Sequence, residues 1–494
     1  MAGEQRRGHI VMLPLMAQGH IIPFFELGKL LAKQGGFLIT IVNTPRNVLR
    51  LLPKVSTACK AHDIDIRLEE LPFPRGTQGL PPDVENTDSL PYNLMFLLVR
   101  NCEQLERPFE NLLWRLRDGG HPPTCVVSDM FFGWTLDICN RMGIPRATFM
   151  TMGAFATAVY YSLWMNLPHK KTDSDTFSLA PELPHVSFHT SQLPLSLRLT
   201  DDTDPWHLFL KRQIPRNLRS WGTLLNTFDA LESKFVDHLR SNSCGHVWTV
   251  GPVLPEAFNG THGCCTDGLV HETCSTWLDS LPPSSVLYIS FGTMVRISRC
   301  QMEALALGLE ATRVPFIWAV RPPCDVTDES ADFLPEGFEE RMVGSKQGLL
   351  LKGWAPQLLI LSHPSTGGFL SHCGWNSTLE SLSQGVPMIG WPIAADQFYN
   401  SKLLEEEVGV SVEICRGVDG ELHQSKVEKI VRMFMEGDLG MELRKKARQL
   451  RDTAKLAFSS SWVSTDGKTC KGSSIANIDE FVNEVNLLVP SPES

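Results

Sequence analysis

Residues 354–397 constrain the chain more tightly than any other stretch. They read WAPQLLILSHPSTGGFLSHCGWNSTLESLSQGVPMIGWPIAADQ. GGFLSH is a short apolar strand, and CGWNSTLESLSQG is a tight turn followed by a helix. Asn376 or Ser377 suits the N-cap of that helix, Gly385 suits its stop, and Pro387 bars its continuation. VPMIGWP then repeats the strand and AADQFYNSKLLEEE the helix. Two strand-to-helix turns in succession are the repeat of an α/β sheet.

The turn before the first of these helices has chemistry of its own. A helix start offers free backbone N–H groups and the positive end of a dipole, and His372, Asn376 and Ser377 crowd around this one. Together they form an anion site suited to phosphate. Glu380 lies one turn further along the same face, where its carboxylate suits the two hydroxyls of a ribose; it equally suits a capping box with Ser377. Trp354 offers a flat face to a base, or else joins Trp375 and Trp391 in a core. Asp396 and Gln397 open the next helix and suit sugar hydroxyls. His372 and Cys373 are adjacent, chelate poorly, and have no second pair at ligand spacing.

The rest of the chain repeats the alternation. HIVMLPL (9–15) is an apolar strand, MAQGH a turn, IIPFFELGKLLAKQGG a helix with Pro23 in its first turn, and FLITIVNT (37–44) a second strand. This βαβ unit predicts a doubly wound N-terminal half. IDIRLEELPFP is a third strand, a polar loop over 79–92 leads into one helix ending near Leu116, and TCVVSDMFF and PRATFMT are further strands. Residues 167–197 predict a loop over a cleft. His20 stands where the first strand meets the first helix, at the sheet crest where α/β ligands bind, and Gly19 beside it admits close approach. Asp129 ends another strand and reaches the same crest. A carboxylate there orients an imidazole and stabilises its protonated form; a helix cap is the competing role for each residue. The first turn has no GxGxxG, and Pro45-Arg46 rather than an acid follows the second strand, which weighs against a nicotinamide enzyme.

Composition excludes other classes. At 494 residues two or three domains are expected, and a net charge of −10 without a basic run argues against nucleic acid. Thirteen cysteines without a CxxC fit reduced thiols in the cytoplasm. No apolar run approaches ~20 residues, so no membrane insertion is expected. Acidic triplets at Asp63–Asp65, Asp173–Asp175 and Asp202–Asp204 are chance spacings rather than a divalent-metal site.

With these residues in view, the 354–397 stretch resembles the signature box of plant secondary-product UDP-glycosyltransferases: W-x-P-Q at its start, H-C-G-W-N-S within, a glutamate three residues later, and D-Q at its end. The resemblance extends over nearly the whole chain. A-Q-G-H-x-x-P looks like the family's catalytic-histidine motif, and S-D in VVSDMF like the aspartate that assists it. It implies an α/β GT-B fold, two Rossmann-like doubly wound domains facing across a cleft. Residues 1–254 are then an acceptor domain, 255–272 a linker, 273–470 a UDP-sugar domain, and 471–494 a helix crossing back onto the first. The implied catalytic pair is His20 and Asp129. The implied donor set is Gly19, Thr151, Ser290, Thr293, Trp354, Ala355, Gln357, His372, Gly374, Trp375, Asn376, Ser377, Glu380, Asp396 and Gln397. The acceptor is expected against His20, Phe24, Phe155, Leu193 and Ala395. The implied activity is inverting transfer of glucose from UDP-glucose to a hydroxyl of a small flavonoid, other phenolic or terpenoid, with no metal and no other cofactor, by a cytoplasmic monomer. Gln397 ties the donor to glucose. Asp204-Pro205-Trp206 resembles an element of carbon-linking members. A catalytically silent UDP-sugar-binding protein is the rival reading.

Overall fold

The computed structural model describes residues 8–74, 76, 79–88, 90–255, 268–324, 333–463 and 469–489. Seven strands form one all-parallel sheet: β1 (His9–Leu13), β2 (Leu38–Asn43), β3 (Ile66–Glu70), β4 (Cys125–Asp129), β5 (Arg146–Met150), β8 (Gly222–Leu225) and β9 (His246–Thr249), ordered β3-β2-β1-β4-β5-β8-β9. A second parallel sheet holds β10 (Val286–Ser290), β11 (Phe316–Val320), β12 (Gly348–Lys352), β13 (Thr366–Ser371), β14 (Met388–Gly390) and β15 (Ser411–Glu413), ordered β12-β11-β10-β13-β14-β15. In both, the order reverses beside the first strand of the sheet, which is where α/β folds open a ligand crevice.

The strands read as unbroken apolar runs because both faces are covered. In β1, Ile10 and Met12 enter one core with the Gln18–Gly35 helix, while Val11 and Leu13 enter another on the opposite face. That second core continues into the other half of the chain, taking in Val286, Tyr288 and Trp375. One continuous apolar cluster therefore joins the two sheets. Gly36 ends the first helix in the left-handed region at φ 64°, as its sequence position requires.

The final helix, Ser473–Leu487, packs on the first sheet rather than the second. Ile478, Phe481, Val482 and Val485 join the core of Ile10 and Met12. Ser474 Oγ donates to the Gly251 carbonyl at 2.5 Å, and Asn477 Nδ2 to Thr249 Oγ1 at 2.8 Å. The Phe481 ring meets Trp248 edge-on at 5.2 Å.

Several local expectations are corrected. The single helix expected to end near Leu116 is two, Tyr92–Asn101 and Glu106–Asp118, split by a tighter turn at Cys102–Leu105. Pro108 explains the break: lacking an N–H, it is placed in the first turn of a new helix. Pro23 falls in the second turn of its helix, because that helix begins at Gln18. The expected 167–197 loop contains an antiparallel hairpin, β6 (Thr176–Leu179) with β7 (Leu183–His189), whose burial alternates along β6 and from Val186 to the end of β7. Most of the 255–272 linker lies outside the described residues. None of the described helices is long and apolar enough to cross a membrane.

Phe481→Ala should lower unfolding stability by about 3–5 kcal/mol, as emptied aromatic core sites do. Denaturant midpoints measured against the parent chain check this; an unchanged midpoint would show that the last helix is not part of the first core.

Candidate functional site

Strand register decides which residues meet. In the first sheet Leu13 lies opposite Ser128, and Asp129 opposite Phe149. The turns after β1, β4 and β5 therefore emerge side by side, carrying His20, Asp129 and Thr151. In the second sheet Ser290 lies opposite Ser371, and Ser371 opposite Gly390. The turns after β10, β13 and β14 share one edge, with Thr293, His372 to Ser377, and Ala395 to Gln397.

The two edges face each other. His20 Nδ1 lies 2.7 Å from Asp129 Oδ2, and Asp129 is fully buried. The other oxygen of Asp129 accepts the Phe131 N–H at 3.2 Å, so one carboxylate both caps its turn and holds the imidazole. Thr151 Oγ1 sits 3.1 Å from the same ring nitrogen, turned toward His20. With the proton of Nδ1 directed at Asp129, Nε2 is the ring's open acceptor. Burial opposes the imidazolium, but the charge and hydrogen bond of Asp129, with Asp396 from the other sheet, hold His20 above its ordinary value of 6.5. Asp396 is itself raised by burial, against the pull of its bond to Asn400 and of His20.

One hydrogen bond joins the edges directly. Asn376 Nδ2 donates to the Gly19 carbonyl at 2.9 Å. That carbonyl would normally accept the N–H four residues on, but residue 23 is proline and has none. The A-Q-G-H-x-x-P pattern thus leaves an acceptor beside the histidine, and the second sheet supplies its donor. The Trp375–Gln384 helix has Gly374 at its N-cap and no side-chain cap, which corrects the expectation that Asn376 or Ser377 would fill that place. Trp375 is corrected also: its indole Nε1 donates to the Asn226 carbonyl at 2.7 Å and is buried in the first half of the chain, so only its backbone faces the cleft.

His372 sits between two glycines. A Cβ at Gly292, where φ is 71°, would lie 2.6 Å from His372 Nε2, and a Cβ at Gly374 2.5 Å from the same atom. Burial pushes His372 down to about 4, against the Ser290 backbone and with help from Arg321, so its ring is neutral. Cys373 and Ala395 both take left-handed backbone, at φ 61° and 50°. Strain of this kind is held where a turn must be fixed against a ligand. Ser290 is buried at the end of β10, and Thr293 is exposed on the loop that follows it.

Glu380 is raised by burial to about 7 and is bonded by Gln357 Nε2 at 2.6 Å, which also bonds Ser377 Oγ at 3.0 Å. The capping-box alternative for Glu380 is therefore absent. Trp354 is 57% exposed, just past β12, with its face open to a planar guest, and Ala355 is buried behind it. Gln397 Oε1 accepts the N–H groups of Ile393 and Ala394 at 3.0 and 2.8 Å, leaving its amide nitrogen to donate. Ala395 is exposed at the cleft.

The apolar acceptor residues expected from sequence are corrected. Phe24 packs edge-on against Phe149 at 4.9 Å, Phe155 against Phe235 at 4.7 Å, and Leu193 is equally buried; none of the three presents surface. Beside His20 stands Phe131 instead, with ring centres 6.0 Å apart, then Trp206 at 5.6 Å from Phe131, and Phe96 at 4.8 Å from Trp206. Asp204 caps the helix that positions Trp206, accepting the N–H groups of Trp206 and His207. The only sequence sign of this row was the Asp204-Pro205-Trp206 triplet. Arg321, one residue past β11, was also missed; its charge acts on His372, and its Nη1 donates to the Thr293 carbonyl at 2.9 Å.

Pro23→Ala gives the Gly19 carbonyl an N–H within its own helix, in competition with Asn376. The variant should gain up to about 3 kcal/mol in helix stability while amide exchange quickens around 375–378. Unchanged exchange there would show that the freed carbonyl is not what joins the edges.

Comparison with known proteins agrees with this geometry. Residues 8–255 match the family model "Glycosyltransferase, N-terminal domain", and residues 213–435 match "UDP-glucoronosyl and UDP-glucosyl transferase". UDP-glycosyltransferase 92A1 of Arabidopsis thaliana is 40% identical, covering 97% of this chain and 98% of that protein. Crocetin glucosyltransferase 3 of Crocus sativus is 42% identical, covering 88% of this chain and 92% of that protein. The crystal structure of Glycyrrhiza uralensis UGT73P12 with glycyrrhetinic acid 3-O-monoglucuronide superposes with a TM-score of 0.82 at 29% identity, covering 98% of this chain and 96% of that one. With two parallel-sheet halves and a cleft edge contributed by each, the chain belongs to the plant UDP-glycosyltransferase family and has its GT-B fold.

Proposed function

We propose that this protein transfers glucose from UDP-glucose to a hydroxyl of a small lipophilic acceptor, with inversion, using His20 as general base. The observation that carries the reading is the His20–Asp129 pair, 2.7 Å apart, set next to Gly19 where Asn376 of the opposite edge is bonded. The acceptor hydroxyl gives its proton to His20 Nε2 as its oxygen attacks the anomeric carbon, and the bond from that carbon to the diphosphate breaks. Asp129 keeps the ring oriented and stabilises the imidazolium that forms. The diphosphate takes up the negative charge against the N–H groups that open the Trp375–Gln384 helix, with His372 and the Thr293 loop beside it. Such donors are fixed before the reaction and need no reorganisation. This chemistry runs without a metal.

Trp354 stacks the base, Glu380 binds the ribose, and Asp396 with the free amide of Gln397 holds the sugar. The Crocus relative's name, glucosyltransferase, supports glucose. The half-buried ring of Phe131 beside the base supports a flat aromatic acceptor such as a flavonoid or other phenolic. We take it to act in the cytoplasm as a monomer. An acceptor panel with UDP-glucose, read by product mass, tests the function; UDP-sugar binding with no product across the panel would favour a silent binding protein.

His20→Ala should lower kcat about 10²–10⁴-fold and leave UDP affinity within a few fold. Undiminished turnover would remove the base assignment. Because a base must be unprotonated and His20 is raised above 6.5, activity should fall as pH drops through a value above 6.5. That limb is read in kcat/KM for the acceptor with donor saturating, so that Glu380 is already engaged. Replacing Gln397 should change the preference among UDP-hexoses; an unchanged order would detach the donor choice from that residue.

A further inference from the structure

Arg146 opens β5 and is 1% exposed, yet none of its bonding partners is a carboxylate. Nε donates to Ser128 Oγ at 2.9 Å and Thr135 Oγ1 at 3.2 Å. Nη1 donates to Thr148 Oγ1 at 2.7 Å, Asn217 Oδ1 at 3.0 Å and Ser220 Oγ at 2.5 Å. Nη2 reaches the carbonyls of Asp129 at 3.3 Å and Phe132 at 3.5 Å. Seven neutral oxygens surround a buried cation, and such a charge is stable only with a counter-charge near by.

The titratable groups facing the guanidinium are Cys139, Tyr161, Asp129 and Cys125. Burial pushes both thiols and the phenol up, so they stay neutral. Asp129 is the one carboxylate among them. On its other side Asp129 holds His20, whose facing charges are Asp129 and, from the second sheet, Asp396. Asp129 is therefore shared by the two: its backbone carbonyl accepts from the guanidinium, and its carboxylate bonds the imidazole. Arg146 also bonds the backbone at both ends of the turn that Asp129 caps.

We propose that Arg146 is a positioning residue that fixes Asp129 and, through it, sets how readily His20 takes a proton. This rests on the reading of His20 as the base. Two effects act together. The guanidinium holds the carbonyls of Asp129 and Phe132, and so the direction in which the carboxylate points. Its positive charge offsets part of the attraction that Asp129 exerts on the His20 proton. Without that charge the imidazolium is more stable, and more of the enzyme is protonated near neutral pH.

The test compares charge variants by two readouts. Arg146→Gln should move the acid limb of kcat/KM upward by roughly half to one pH unit, as loss of one charge at partly screened distance implies. The His20 imidazole, assigned in the NMR spectrum with His20→Gln, should titrate higher by the same amount. Arg146→Lys keeps the charge but loses the fork; its limb should stay near that of the parent while thermal stability falls. Asn217→Asp, close in shape, neutralises the guanidinium from 3.0 Å and should also raise the limb; it serves if the glutamine variant does not fold. An unshifted His20 titration in either folded variant would overturn the proposal. The NMR titration stands apart from turnover: if His20→Gln kept full activity, the base reading would fail while the Arg146 effect on His20 remained measurable.

Discussion

At the Gly19 carbonyl a hydrogen bond from Asn376 ties the two halves of this chain beside His20. Pro23 leaves that carbonyl without a helical partner, and the Asn376 amide takes it at 2.9 Å. The bond is short-range and directional, so it fixes the first turn of one half against the first turn of a helix in the other. His20 is the next residue along. The proposed mechanism depends on this contact, because the proposed base belongs to one sheet and the proposed diphosphate site to the other. Trp375 adds a second tie through Asn226, within an apolar core shared by both sheets.

Burial and charge then divide the labour in the cleft. His20 is raised by Asp129 despite burial, whereas His372, with no carboxylate partner, is pushed down to about 4 by the same burial. The two histidines are thus held in different states, one drawn toward its proton by a carboxylate and the other kept neutral. Arg146 belongs to the same arrangement from behind, since its guanidinium donates to the backbone carbonyl of Asp129, the residue whose carboxylate bonds His20.

Much of this was legible in the chain itself. Strands such as HIVML and GGFLS are continuous apolar runs, and the Gly36 and Gly385 stops are written in the sequence. His20 and Asp129 could be set at one crest because Asp129 ends one strand of a parallel sheet and His20 opens the helix after the neighbouring strand. Side-chain direction was less legible. Asn376 and Ser377 have the composition of caps, but a partner elsewhere in the fold claims Asn376. The Ala154–Asn166 helix is buried nearly all round, so it carries no amphipathic period by which to recognise it. The acceptor wall failed for the same reason: an apolar residue near a motif, such as Phe24 or Phe155, looks the same whether it faces the core or the cleft. The row of Phe131, Trp206 and Phe96 comes from three separate segments, and only the folded chain brings them together.

A crystal structure of this protein with UDP and a bound phenolic acceptor examines the central claim most directly. The account predicts the diphosphate against the backbone N–H groups of residues 375–377, and an acceptor hydroxyl within hydrogen-bonding distance of His20 Nε2. A diphosphate seated away from that helix end, or an acceptor whose oxygen faces neither His20 nor the sugar, would contradict it.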